Sequence, residues 1–289
     1  MSLFIRFALF ILRIAPTRLA SVIASIYAGL LDTAIPRLRR TAMRNLAFAM
    51  PDAPASAITD GVFRSIGRVL LAFARFPDLS KANIHQWIRV EGLDNYCAAK
   101  RRGKGVLIAT GHIGNWELSA FAHAILTEPM NIVVRPIDEP GINSLVEKRR
   151  QLSGNRIIPK KDAARGILRA LGNNEAVGVL IDQNTSVQEG IFVDFFGRPA
   201  CAGSAFARIA NRTGAAVIPG YAVWSEEEGK HILYFEGEVE MTGDDEADTA
   251  RIHARLEAVI RRYPDQWLWI HRRWKTRPAG SPPDTQTRP

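Results

Sequence analysis

The chain has 289 residues, 47% of them hydrophobic, which is enough for one sizeable core. Lys and Arg outnumber Asp and Glu by 38 to 29, a net charge of +9 that suits an anionic partner (lipid headgroups, an acidic carrier protein, a phosphate-bearing cofactor or nucleic acid) without identifying it. The only cysteines, Cys97 and Cys201, have no paired spacing, which argues against a disulfide framework or a cysteine zinc site and fits a reducing compartment.

Residues 3–31 are mostly Leu, Ile, Phe, Ala and Val, interrupted by Arg6, Arg13, Pro16 and Arg18. The longest unbroken apolar stretch, Leu19 to Leu31, would cover only ~20 Å as a helix, short of a ~30 Å hydrocarbon core. Basic residues spread through the run do not fit a signal peptide. Residues 1–35 therefore read as a membrane anchor, either a helix lying in the interface or a tilted span with snorkelling arginines; a buried core helix is the alternative. Arg37, Arg39, Arg40 and Arg44 follow with no nearby acid, a cluster suited to the anionic cytoplasmic leaflet.

From Pro36 to about Phe76 the pattern predicts a helical hairpin broken at Met50-Pro51-Asp52-Ala53-Pro54. Beyond Pro77, candidate strands at 106–110, 132–135, 156–158, 176–181, 215–223 and 232–239 alternate with candidate helices at 116–127, 141–152, 162–172 and 203–213. Such alternation predicts an α/β fold with a mainly parallel or mixed central sheet flanked by helices. The last two strands, joined through Ser225 to Lys230, suggest an antiparallel hairpin at one edge. The α/β body, with its helical N-terminal hairpin, would then be 36–277, with a flexible tail rich in Pro and Thr at 278–289.

Within this frame, an apolar run ends in Gly111-His112 and is followed by Gly114-Asn115-Trp116-Glu117. In parallel α/β folds ligands bind outside the carboxyl ends of the strands, so an imidazole emerging there is placed for acid/base work. Residues five apart are ~140° around a helix, so His112 and Glu117 cooperate only if His112 lies in the loop and Glu117 in the first helical turn. Glu117 would then fix the tautomer of the ring, with Asn115 or Gly114 capping the helix and free first-turn N–H groups holding an oxyanion. Asn115 and Arg135 are the candidates for holding that oxyanion or a phosphate. Neither Ser119 nor the Gly203-Ser204 pair has the context of a nucleophile, which suggests direct attack by a substrate hydroxyl on an activated acyl group. A structural strand-end histidine beside a favourable first-turn acid fits the spacing equally well.

Other positions offer weaker signals. Asp182 and Gln183 end a candidate strand, and Asp182 could orient Arg135 or a sugar hydroxyl, or simply cap a loop. Glu147-Lys148-Arg149-Arg150 with Arg156, Lys160 and Lys161 form a basic strip, from which Arg149 is a candidate substrate contact. In His271-Arg272-Arg273-Trp274-Lys275 cations interleave with aromatics: Arg272 and Arg273 could meet phosphates, with Trp267, Trp269 and Trp274 at headgroup level. Phe192, Phe195 and Phe196 could line an acyl pocket, though core packing is the simpler reading. His85, His123, His231 and His253 have no acidic partner and read as structural.

The Gly-His-x4-Glu arrangement resembles the motif of glycerolipid acyltransferases. The ordered set Val133-Val-Arg-Pro136, Asp182-Gln183, Phe192 to Gly197, Ala210 to Pro219 and Pro264 to Lys275 resembles the late lipid A acyltransferases, the lauroyl and myristoyl transferase branch, over nearly the whole chain. The segment Pro264 to Lys275 resembles that branch more than the mannoside acyltransferases. The resemblance implies an O-acyl transfer from an acyl carrier protein or coenzyme A thioester to an anionic lipid A precursor at the cytoplasmic face of the inner membrane. It implies no metal and no cofactor beyond the thioester co-substrate, and places the family's arginine-proline motif at Arg135. A glycerophospholipid, aminolipid or other glycolipid acceptor is the alternative within the class. A non-catalytic basic protein binding anionic membranes or nucleic acid is the alternative outside it, although nucleic acid is not expected as a partner.

Overall fold

The computed structural model describes residues 2–280. Four helices come first: α1 (Ser2–Ile14), α2 (Thr17–Ala34), α3 (Pro36–Ala49) and α4 (Ala55–Arg75). Proline stands at or beside each break, where its missing N–H costs an incoming helix nothing. The remainder runs β1 (Ile88–Glu91), α5 (Leu93–Arg101), β2 (Val106–Thr110), α6 (Trp116–Leu126), β3 (Asn131–Val134), α7 (Pro140–Gln151), β4 (Arg156–Pro159), α8 (Ala163–Gly172) and β5 (Ala176–Leu180). It continues with β6 (Gly190–Asp194), β7 (Pro199–Gly203), α9 (Ala205–Thr213), β8 (Ala216–Ser225), β9 (Lys230–Phe235) and α10 (Asp245–Arg262).

Seven strands form one mixed sheet in the order β1-β9-β8-β2-β5-β3-β4, parallel throughout except for the β8–β9 hairpin. The expected hairpin is thus present, but it is not at the edge, because β1 pairs with β9. That strand escapes periodicity: it has four residues, two of them charged (Arg89 and Glu91). The antiparallel pair β6–β7 stands outside the main sheet. Its second strand also gives little hydrophobic patterning, since it carries Pro, Ala, Cys and Gly.

Side chains of β2 alternate between two cores. Val106 and Ile108 face the layer containing Leu118 and Phe121 of α6 and Leu9, Leu12 and Ala24 of the N-terminal helices. Leu107 and Ala109 face α8, α9 and α10 through Ile167, Ala207, Ala210 and Ile252. Covering both faces is what permits near-continuous apolar strands.

The N-terminal helices are inverted relative to a soluble amphipathic helix. Small residues of α2, namely Ala20, Ala24 and Ala28, are buried, while Leu19, Val22, Ile26 and Leu30 point outward. On α1 the exposed set is Leu3, Phe4, Phe7, Phe10 and Ile14. Each of these helices thus buries one face in the core, through Leu9, Leu12, Ala20 and Ala24, and leaves a large apolar face exposed. No single helix among the described residues is long and apolar enough to cross a bilayer; the pair Thr17–Ala34 and Pro36–Ala49 passes that test only together, bent by 86°. Arg39 is not the unpaired cation expected from its surroundings: it binds Asp32 at 2.6 Å and Asp60 at 2.6 Å. Asp32 lies on the preceding helix, and the α2–α3 bend brings it back. The predicted flexible tail lies outside the described residues from position 281 on.

Close approach of α2 to α4 favours a residue without a side chain at position 67, because a Cβ there would stand 3.1 Å from the Ala24 carbonyl oxygen. Gly67→Leu should pry the two helices apart and cost about 1–3 kcal/mol, measurable as a lowered denaturation midpoint in detergent.

Candidate functional site

Strands β2 and β5 are parallel neighbours, with Thr110 opposite Leu180. Each chain runs two residues beyond that pair, and His112 and Asp182 meet. Asp182 Oδ1 accepts a hydrogen bond from His112 Nδ1 at 2.9 Å, and Oδ2 accepts from the His112 backbone N–H at 2.8 Å and from Trp267 Nε1 at 2.9 Å. The carboxylate is fully buried. Burial alone would raise its pKa, but the charge and hydrogen bonds of His112 dominate and hold it well below the usual carboxylate range. Burial pulls the imidazole the other way, and Asp182 outweighs this, so the net shift of His112 is upward. A buried anion with three N–H donors fixes the ring with Nδ1 protonated and Nε2 available as acceptor. The Gln183 amide nitrogen lies 3.5 Å from that free nitrogen.

The histidine loop is clamped from the C-terminal segment and from β8. Gly114 N–H donates to the Gln266 carbonyl at 2.7 Å, Asn115 N–H to Ala222 O at 2.7 Å, and Leu268 N–H to His112 O at 3.0 Å. Gly114 has φ +56°, and a Cβ there would fall 1.9 Å from Ala222 O, so only glycine fits. The two ring nitrogens of His271 face the carbonyls of Leu268 and Asp182, and burial lowers its pKa.

Three expectations change here. Glu117 does not touch the ring: its two oxygens accept from Arg150 Nε at 2.9 Å and Nη2 at 2.5 Å, in a largely buried ion pair. The carboxylate on His112 is Asp182, which arrives from 70 residues away and which local spacing could not select. Asn115 is the N-cap of α6, accepting from Leu118 N–H at 3.0 Å and donating to the Arg68 carbonyl, so its side chain is committed to the helix start and does not face an oxyanion.

The model of the family described as bacterial lipid A biosynthesis acyltransferase matches residues 2–276. The chain belongs to that family. Among curated relatives of this acyltransferase, the lipid A biosynthesis palmitoleoyltransferase of Escherichia coli K12 is 29% identical over 85% of this chain and 81% of its own length. The lipid A biosynthesis lauroyltransferase of the same organism is 27% identical over 90% of this chain and 88% of its own. A phosphatidylinositol mannoside acyltransferase of Mycolicibacterium smegmatis is 24% identical over 80% of this chain and 78% of its own.

Other expected site residues of the acyltransferase are dispersed. Arg135 follows β3 at the same sheet edge, but its side chain is 79% exposed and pairs, at 3.7 Å, with Asp138. Arg149 caps the end of α4, donating to the carbonyls of Phe73 and Ala74. Most of the basic strip is paired, Arg156 with Glu175 and Lys160 with Glu189. The C-terminal aromatics do not reach a headgroup layer: Trp267, Trp269 and Trp274 are buried with Phe195 and Phe196 in a third core. Arg273 is buried too, donating to Cys201 O and lying over the Phe195 ring, whereas Arg272 is exposed. His123, His231 and His253 are buried, and desolvation pushes their pKa values down to about 3, 3 and 4. Reasoning from the sequence placed Arg150 only in a basic strip, and missed its pairing with Glu117, the contacts of Gln266 and the role of Trp267. Gln266 and Trp267 stand out in the sequence only as part of the run Pro264 to Lys275.

Because Glu117 and Arg150 are 11% and 18% exposed, removing one leaves the other's charge buried. Glu117→Ala should destabilise the fold by roughly 3–5 kcal/mol, and Glu117→Leu with Arg150→Met should recover most of it. A double-mutant cycle in denaturant measures this coupling; additive losses would refute a structural role for the pair.

Proposed function

We propose that this acyltransferase moves a fatty acyl group from an acyl carrier protein thioester to a hydroxyl of a lipid A precursor, at the cytoplasmic face of the inner membrane, with His112 as general base. The observation that carries this reading is the His112–Asp182 hydrogen bond, which leaves Nε2 facing outward beside Gln183 at the carboxyl edge of the sheet. Neutral His112 takes the proton of the acceptor hydroxyl as that oxygen attacks the thioester carbonyl. The resulting imidazolium, stabilised by ionised Asp182, returns the proton to the departing thiolate when the tetrahedral intermediate collapses. No serine or cysteine intermediate is needed, and the thioester is a co-substrate. Glu117 supports the site indirectly, by fixing Arg150 beside the start of α6.

Membrane attachment is supported by the outward apolar faces of α1 and α2, with exposed Arg37 and Arg40 next in the chain to meet anionic headgroups. The basic surface also suits an acidic carrier protein. The phosphatidylinositol mannoside relative keeps a different glycolipid acceptor as the second reading.

His112→Ala should lower turnover by at least ~10³-fold, since the base is lost outright. In Asp182→Asn the upward influence on His112 disappears while burial remains. Its acid limb in kcat/KM should therefore move to lower pH, with the plateau reduced by about 10²–10⁴-fold. Wild-type turnover by purified His112→Ala protein would refute the mechanism. Mass spectrometry of lipids from a deletion strain and its complemented parent tests the acceptor: unchanged lipid A with an altered glycolipid pool favours the second reading. Phe7→Glu with Ile26→Glu should release the protein from anionic vesicles in a flotation assay; unchanged flotation would refute the interfacial role of these helices.

A further inference from the structure

Between the sheet and α6–α7 lies a narrow cleft whose two ends differ in chemistry. At the carboxyl edge it is lined by the Glu117–Arg150 pair and by Thr110, whose buried hydroxyl has no hydrogen-bond partner. The Trp116 ring lines the same end and meets the His112 ring edge-on at 5.1 Å. Farther down, the sheet contributes only apolar groups, Ile108, Ile132, Gly178 and Met130.

Strand register explains the shape of this floor. Ile132, Gly178 and Ile108 are neighbours in one row across β3, β5 and β2. Glycine in the middle of that row leaves a trough between two isoleucines. Met130 occupies its lower end, because a Cβ at position 178 would stand 2.9 Å from the Met130 sulfur. From the level of Val134 to that of Met130, four residues at ~3.3 Å give a depth of ~13 Å.

We propose that Gly178 and Met130 set the length of the acyl chain this protein transfers, the thioester carbonyl lying at the Thr110 end and the terminal methyl against the Met130 thioether. The inference rests on the acyl-transfer reading above. A trough without a side chain admits a linear chain, and each methylene it buries favours binding by roughly fourfold, so the position of the floor discriminates sharply between lengths. Adding a carbon at 178 raises the floor, and trimming Met130 lowers it. Gly178→Ala meets only the movable end of a flexible side chain, so the fold tolerates it.

Wild-type, Gly178→Ala and Met130→Ala proteins are each given an equimolar mixture of saturated thioesters from decanoyl to palmitoyl, as acyl carrier protein and as coenzyme A derivatives. The masses of the acylated lipid are then read. Gly178→Ala should shift the ratio of adjacent even-numbered chains about tenfold toward the shorter, and Met130→Ala by a similar factor toward the longer. A wild-type chain distribution from both variants overturns the inference while leaving the acyltransferase reading intact. Absence of any acylated lipid from the wild-type protein overturns the reading and the inference together.

Discussion

The buried carboxylate of Asp182 is the constraint on which the site depends. An ion in that position costs several kcal/mol unless donors replace its lost water, and here three N–H groups from two other segments converge on it. One segment is the His112 loop and another is the C-terminal Trp267 stretch, while Asp182 itself extends β5. Satisfying one anion therefore joins three parts of the chain that are far apart in sequence, and the same bonds select the tautomer of His112. Structure and reactivity share one set of interactions.

Helix α7 links that site to the rest of the molecule through two consecutive residues. Arg149 ties it to the last carbonyls of α4, the helix on which α1 and α2 pack, and Arg150 ties it to Glu117 at the start of α6. The outward apolar layer and the wall of the cleft are thus braced by one element. Glu117 also suits its position at a helix N-terminus, where an anion complements the dipole. Its service is to hold an arginine in place, which differs in kind from the service Asp182 gives the imidazole.

The C-terminal aromatic and basic motif shows how composition can suggest the wrong environment. Interleaved Trp and Arg read as a headgroup-facing surface, yet the tryptophans fill a core and only Arg272 of the arginine pair is exposed. A guanidinium lying over a phenyl ring and donating to a carbonyl, as Arg273 does, can be buried without a carboxylate partner. The segment contributes to the site as a clamp on the histidine loop.

Hydrophobic pattern by itself determined the alternating α/β order, the helical hairpin broken near Pro51 and the strand that delivers His112 to the sheet edge, because each is a local consequence of periodicity and of proline. It could also limit how His112 and Glu117 relate, since five residues cannot share a helix face. Which carboxylate binds the ring was decided only by tertiary structure. Asp182 was legible as a strand-end acid, but its partner depends on β2 and β5 being parallel neighbours in the register that pairs Thr110 with Leu180. Glu117, the nearer acid in sequence, was drawn off by Arg150 from another helix. Strand order and register are set by the summed burial of the whole sheet, and no window of sequence contains that sum.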